Sequence, residues 1–536
     1  MATPPARQWG VTPPISTVLP TQDEVAANDN LIAELKAQNN FELPAETERR
    51  KQILSLLQRV ALEFVKVVSR KKGLSQAAVE AAGGKVFAYG SYRLGVYGPV
   101  PMNLDLKNND YLRGLDEFEV RSLNGTRVTD QILELVPQQK TFRLALRAIK
   151  LWAQRRAIYS NIVGFPGGVA WAMLVARVCQ LYPQATGSVI VGKFFRIMNK
   201  WAWPQPVLLK QIEDGPLQMK IWNPKIYPQD RYHLMPIITP AYPSMCATHN
   251  ISLSTKAVIL RELARGGDIV DKIFTKKGSW SDLFGRHSFF TQAYKYYLNI
   301  TATSKTKEAE AVWSGLVESK LRHLVGALDR KAIVAVAHPF PKGFERIHLV
   351  SNPEELEAVK NGSTKYQAQG TTTETTDETK DAAHQAAAQN GGAEDAHAPE
   401  PAERKAENES QNVYTTTYYI GLELNQLEPG APRSLDISHD AGTFKSTCMA
   451  WSGYQPDVHD LSITHVRSFE LPDDVFQPGE ARPTRPTKKK VVKKNAAPDA
   501  ASAGQKRNIN QLESSTEAAA KRQATTNGVS RAAAPA

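Results

Sequence analysis

Between Gln367 and Asn412 the chain contains no Val, Ile, Leu, Met, Phe, Trp, Tyr or Cys. A segment of that composition has no apolar surface to offset the entropy of ordering, so it is expected to be a solvated insertion. It carries 3 basic against 10 acidic residues. On either side lie runs rich in β-branched and aromatic residues: Ala332 to His338 before it, Tyr414 to Leu422 and Ile463 to Leu471 after it. These predict strands, and Trp313 to Leu328 has the spacing of a helix. The natural product is a small α+β domain interrupted by the acidic insertion.

A chain of 536 residues, 42% hydrophobic and 22% charged, has room for about three domains. That composition excludes a collagen, a coiled coil and a wholly disordered chain. The longest apolar stretch, Gly164 to Ala176, spans 13 residues. A bilayer needs about 20, so no membrane span is expected. No basic start followed by an apolar core opens the sequence, so secretion is not expected. Cys179, Cys246 and Cys448 are far apart and odd in number, forming neither a disulfide framework nor a zinc spacing. A reducing, intracellular compartment fits.

The net charge of +12 is unevenly spread. Residues 481–536 hold 12 Lys or Arg against 3 acids, and the insertion removes part of the total, which leaves the rest of the chain at +10. A basic body with a basic tail implies a polyanionic partner, usually nucleic acid. The tail is rich in Pro, Ala, Ser and Lys and is expected to be disordered. Within it Lys488, Lys489, Lys490, Lys493 and Lys494 form a nuclear-import type of cluster, a solubilising tail being the bland alternative.

From Thr47 to Arg70 the residues Ile53, Leu56, Leu57, Val60, Phe64 and Val67 recur at helical spacing with Arg and Lys opposite, predicting an amphipathic helix. Lys85-Val-Phe-Ala-Tyr-Gly-Ser predicts a short strand running into a turn, with Ser91 as a helix N-cap. A helix follows from Phe142 to about Arg156, with Phe142, Leu146, Ile149 and Ala153 inward. Another carries Val169 to Tyr182 after Gly164-Phe-Pro-Gly-Gly. From there to about Leu298 the sequence predicts mostly helix, interrupted by Trp- and Pro-rich turns.

Three features could serve phosphate chemistry. The turn at Gly90 and Ser91 offers backbone N–H groups and a helix N-terminus, which favour an anion, although a Gly-Ser pair is also ordinary turn chemistry. Lys150 lies with Arg143 and Arg147 on a basic helical face that either contacts phosphates or is simply solvated. The glycine pair Gly167-Gly168 would let backbone approach a ligand, or make a plain helix-to-helix turn. No His or Cys spacing suggests a metal ligand set, and no nucleophile elbow is visible.

Taken in order, Lys85 to Pro99, Leu123-Asn-Gly-Thr-Arg-Val-Thr-Asp130, Ala145 to Arg156, Gly164 to Ala176 and Ile238 to Asn250 resemble the eukaryotic nuclear poly(A) polymerase family in a fungal-like version. The resemblance runs from Trp9 to Phe476, omitting the insertion. It implies an α+β multidomain chain. A nucleotidyltransferase palm with a β-polymerase-like sheet would occupy 1–136, truncated here. A helical central domain would take 137–287, and a ferredoxin-like RNA-binding domain 288–480 with the insertion 367–412. The basic tail would be 481–536. The activity implied is template-independent addition of AMP from ATP to the 3′ end of pre-mRNA, with Mg²⁺ or Mn²⁺ as cofactor. By motif, Tyr89, Gly90 and Ser91 would line the triphosphate and Lys150 and Tyr159 would contact phosphates. Asn124, Asn161, Gly168 and Val169 would hold adenine and ribose. Implied partners are the RNA 3′ end and cleavage and polyadenylation factors, with a monomer in the nucleus.

One departure bears on mechanism. In the family Gly-Pro at the end of the first motif runs into Gly-Ser-Asp-Ile-Asp, and a third Asp lies several tens of residues later. Here Pro99 runs into Val100-Pro-Met-Asn-Leu-Asp-Leu-Lys, and Leu104 to Asp116 already resembles the family's stretch beyond its third Asp. The intervening segment and all three metal ligands are therefore expected to be missing. Asn103-Leu-Asp105 keeps the i, i+2 spacing of a metal pair but supplies one carboxylate where three are needed. The catalytic acids are thus unassigned, no metal ligands are expected, and a noncatalytic RNA- or factor-binding protein is the alternative.

Overall fold

The computed structural model describes residues 8–86, 108–368, 372–375, 411–425 and 435–485. The fold starts with three helices, α1 (Gln22–Ala37), α2 (Pro44–Lys71) and α3 (Gln76–Ala81). Thr21 caps α1 and exchanges hydrogen bonds with Glu24, the reciprocal arrangement that satisfies two otherwise unpaired N–H groups. Proline at the first position of α2 has the φ a helix start needs and no N–H to leave unpaired.

α2 forms where its spacing predicts, but among the described residues its apolar stripe faces no core. Phe64 is 67% exposed and Val60 57%, with Ile53, Leu56, Leu57 and Val67 also exposed. The helix packs chiefly against the short α3, and Gln58 ties it to the following loop through the Gly84 carbonyl and the Val86 N–H. The strand and helix expected from Lys85 to Ser91 lie largely outside the described residues.

Next come α4 (Glu117–Leu135), α5 (Gln139–Arg155), α6 (Gly168–Leu181) and α7 (Gly187–Lys200), then α8 (Leu253–Phe274) and the single turn α9 (Trp280–Leu283). Phe142, Leu146, Ile149 and Ala153 are buried as expected, and α6 is buried all round from Ala170 to Leu181, Arg177 and Gln180 included. Trp152 is the hub, with edge-on contacts to Trp171 at 5.7 Å and Phe195 at 4.8 Å. The helices expected between Lys200 and Leu253 are not there: apart from a short turn at Pro228–Tyr232 that stretch is loop and isolated bridges. Eight prolines between Pro204 and Pro243 remove the donors a helix needs.

The C-terminal domain is an antiparallel sheet of β1 (Tyr296–Ser304), β2 (Val334–Pro339), β3 (Phe344–Val350), β4 (Thr373–Glu374), β5 (Gln411–Leu424) and β6 (His459–Arg467), with α10 (Lys307–Leu328), α11 (Pro353–Lys360) and α12 (Ser438–Met449). The order is β4-β3-β5-β1-β6, and β2 shares the β3 edge of β5. β3 pairs with the first half of β5 and β2 with the second, the break falling at Pro341 and Gly343. Strands β1 and β3 are not among those expected, and the helical expectation up to Leu298 fails where β1 begins. The two ends of the acidic insertion are also ordered: Thr373 and Glu374 pair with β3, and Gln411 and Asn412 open β5. β6 stops at Arg467 rather than Leu471. One continuous core joins the central helices to the sheet, from Leu31 to Leu461. No helix among the described residues is long and apolar enough to cross a membrane.

Candidate functional site

The end of α5 and the start of α6 face each other across the loop 156–167. Arg156 fixes one side of it. Its guanidinium takes the Glu262 carboxylate in two hydrogen bonds, of 2.8 and 2.9 Å, and donates to the Gly285 and Arg286 carbonyls. Gly164 has φ +98°, and a Cβ there would stand 2.9 Å from the Asn250 carbonyl oxygen, so only glycine fits. Asn250 in turn donates its side-chain amide to the Asn161 carbonyl at 3.0 Å and accepts from Arg322.

This scaffold gathers five of the expected residues. Lys150 Nζ lies 5.8 Å from the centre of the Tyr159 ring. Gly168 opens α6 behind the side-chain-free cap Gly167, and a Cβ on Gly168 would come within 2.6 Å of the Tyr159 hydroxyl. A Cβ on Gly167 would meet the Asn161 side chain at 3.4 Å, an ordinary contact, and Val169 is exposed on the first turn. Asn161 Oδ1 is buried with no hydrogen-bond partner among the described residues. A helix N-terminus, an ammonium group and a phenol come together here, with the Asn161 side chain beside Gly167. That arrangement suits an anion with a polar neighbour, as a nucleotide has.

Asn124 sits on α4, which packs against α6, and its Oδ1 accepts from Arg127 at 3.0 Å. Arg127 also donates to the Tyr242 carbonyl at 2.7 Å, and burial lowers its pKa. Tyr89, Gly90 and Ser91, with the tail lysines Lys488, Lys489, Lys490, Lys493 and Lys494, lie outside the described residues. Glu262, Asn250 and Arg322 support the loop from distant parts of the chain, and only the glycine at 164, a residue that tolerates positive φ, hints at that from sequence.

Divalent-metal donors are another matter. Among the described residues no group of three His, Cys, Asp or Glu could hold a metal. The carboxylates just after the undescribed stretch 87–107 are occupied locally: Asp110 binds Arg113 at 3.0 Å, Asp116 caps α4, and Glu117 pairs with Arg121. The undescribed stretch 87–107 contains a single acid, Asp105. These residues do not fit a two-metal site of the sort that activates a 3′-hydroxyl and neutralises a leaving pyrophosphate.

The family models for the poly(A) polymerase central domain and the poly(A) polymerase predicted RNA binding domain match residues 141–286 and 288–485. The model for the nucleotidyltransferase domain matches in two pieces, 10–100 and 99–136. Poly(A) polymerase pla1 of Schizosaccharomyces pombe is 47% identical over 92% of this chain and 97% of its own length. The chain belongs to the poly(A) polymerase family. The similarity extends to poly(A) polymerase PAPalpha of Candida albicans, 42% identical over 91% of this chain and 96% of that one. The Dictyostelium discoideum poly(A) polymerase is 33% identical over 90% of this chain and 61% of its own. A polynucleotide adenylyltransferase of fungal type is therefore the parent architecture, with an RNA-binding domain at its C-terminal end. Poly(A) polymerases use ATP and a divalent metal, and the helical central domain found here is the part that carries Lys150, Tyr159, Asn161 and Gly168.

Proposed function

We propose that this chain binds an adenine nucleotide and the 3′ end of RNA as a poly(A) polymerase does, but lacks the acidic cage for adenylyl transfer. Lys150 and Tyr159 hold phosphates, with Tyr89, Gly90 and Ser91 along the triphosphate. Asn124, Asn161, Gly168 and Val169 hold adenine and ribose. The palm is 1–136, the central domain 137–287 and the RNA-binding domain 288–480. The lysine cluster from Lys488 to Lys494 directs the chain to the nucleus, where its partners are RNA and the cleavage and polyadenylation factors, and the chain is a monomer.

The observation that carries the loss of transfer is the break of the nucleotidyltransferase match at residues 99 and 100. Two others support it. The alignment with the fission-yeast relative spans 562 positions, more than the 536 residues of the chain, while using 92% of them, so several tens of positions face no residue here. The apolar stripe of α2 stands exposed in a domain that should have a sheet to cover it.

Restoring the segment tests this. Insertion of the relative's intervening residues between Pro99 and Val100 is expected to convert a protein that binds oligo(A) without extending it into one that extends it with ATP and Mg²⁺. An unmodified chain that extends oligo(A) as fast as the restored one contradicts the proposal.

A further inference from the structure

A cavity of about 390 Å³ opens between the end of α5 and the C-terminal sheet, and its wall includes Arg155, Tyr159, Arg286, His287, Lys342 and Glu374. Three of these are cations drawn from distant parts of the chain, and one is a carboxylate. Glu374 accepts from Lys342 Nζ at 2.8 Å and stands 3.7 Å from Arg286 Nη2. Arg286 also meets Glu480 at 2.9 Å, while Arg155 donates to the neutral amide of Gln38.

Glu374 is held there by the fold. The Thr375 N–H donates to the Gly343 carbonyl at 2.9 Å, the Gly343 N–H donates to Thr375 Oγ1 at 2.8 Å, and Thr372 Oγ1 donates to Asp474. β4 thus pins the root of the acidic insertion against β3 with one carboxylate aimed at the cations. Residues 376–410, which continue from this root, add 9 acidic against 3 basic residues.

We propose that Glu374 is an internal occupant of a phosphate-binding pocket. Its carboxylate takes the place of a phosphate oxygen on Lys342 and Arg286 and so lowers the affinity of the pocket for phosphate-bearing ligands. A carboxylate offers two acceptor oxygens to the same donors a phosphate would use, so the two compete directly. The pocket shares Tyr159 with the nucleotide site, so the ligand is either the backbone of RNA or the phosphates of ATP. The proposal rests on the chain binding RNA and nucleotide.

The test uses the full chain, with fluorescein-labelled oligo(A) followed by anisotropy and ATP followed by calorimetry, each over a series of salt concentrations. Glu374→Gln keeps the backbone pairing and removes the charge. It is expected to tighten one ligand several-fold at low salt and, for oligo(A), to steepen the log–log salt slope by about 0.7 per cation released to a phosphate. In a Lys342→Gln background the gain should shrink. Tightening of oligo(A) assigns the pocket to RNA, and tightening of ATP assigns it to the nucleotide. Binding of both ligands that is unchanged by Glu374→Gln overturns the proposal and leaves the proposed function standing. Absence of binding in every variant overturns both.

Discussion

Gly168 and Tyr159 leave no room for a methyl group between them: a Cβ on Gly168 would stand 2.6 Å from the Tyr159 hydroxyl. The contact couples the start of α6 to the ring over which Lys150 lies. Gly168→Ala should displace the phenol and, with it, the ammonium. Alanine is the better helix former by up to about 1 kcal/mol, so folding should not suffer to match. The expected result is ATP binding weakened roughly tenfold, or about 1.4 kcal/mol, with an unchanged or slightly raised melting temperature. Calorimetric titration and a thermal melt read the two separately.

The Arg156–Glu262 pair is buried and two-pronged, and it shares its guanidinium with two backbone carbonyls. Arg156→Ala leaves the largely buried Glu262 carboxylate with only the longer contact to Arg265, at 3.7 Å, and should cost about 3 kcal/mol in urea unfolding, the low end for breaking a buried pair. Arg156→Lys keeps the charge but loses the fork, and should recover only part of that.

Glu310 on α10 is fully buried beneath the sheet, and burial pushes its carboxyl pKa up to about 7. The folded state therefore holds the proton more tightly than the unfolded chain. The stability this contributes is complete below the ordinary carboxyl range, is lost as pH rises toward about 7, and does not change further above that. Glu310→Gln should flatten the dependence and stabilise the protein at pH 8 by roughly 2 kcal/mol. Urea midpoints measured from pH 5 to pH 8 check both, and a wild type that gains stability across that window contradicts the assignment.

Because the α2 stripe is exposed, Phe64→Ser and Leu57→Ser should change unfolding free energy by less than about 0.5 kcal/mol, as surface substitutions do. They should also reduce aggregation, measured by light scattering on concentration. A loss of about 3 kcal/mol or more from Phe64→Ser would mean that the stripe is packed in solution.

The helices around the site are legible in the sequence because α5 and α6 carry strong signals: a 3.6-residue apolar period in one and an unbroken apolar run after a glycine pair in the other. The sheet is legible in part. β2, β5 and β6 are rich in β-branched and aromatic residues, whereas β1 comes after a helical stretch without a turn signal, and β3 inverts the usual alternation by burying Arg346 and His348 while Leu349 is exposed. The prolines from Pro204 to Pro243 are plain in the sequence, but at that density they exclude helix altogether rather than merely interrupt it. Periodicity places the α2 stripe correctly on one face, yet it cannot say whether a partner exists to cover that face. The cationic pocket is invisible in the sequence, because Arg155, Arg286 and Lys342 meet only where the turn between β2 and β3 comes up beside the end of α5.

The central claim is that nucleotide- and RNA-holding parts persist here without the carboxylates that position two metals. Extension of a labelled oligo(A) by the purified chain, with ATP and either Mg²⁺ or Mn²⁺, is the most direct check. The expected gel shows the primer bound in a mobility shift but unlengthened after hours. A ladder of added adenylates that grows with time and is abolished by chelation would contradict it.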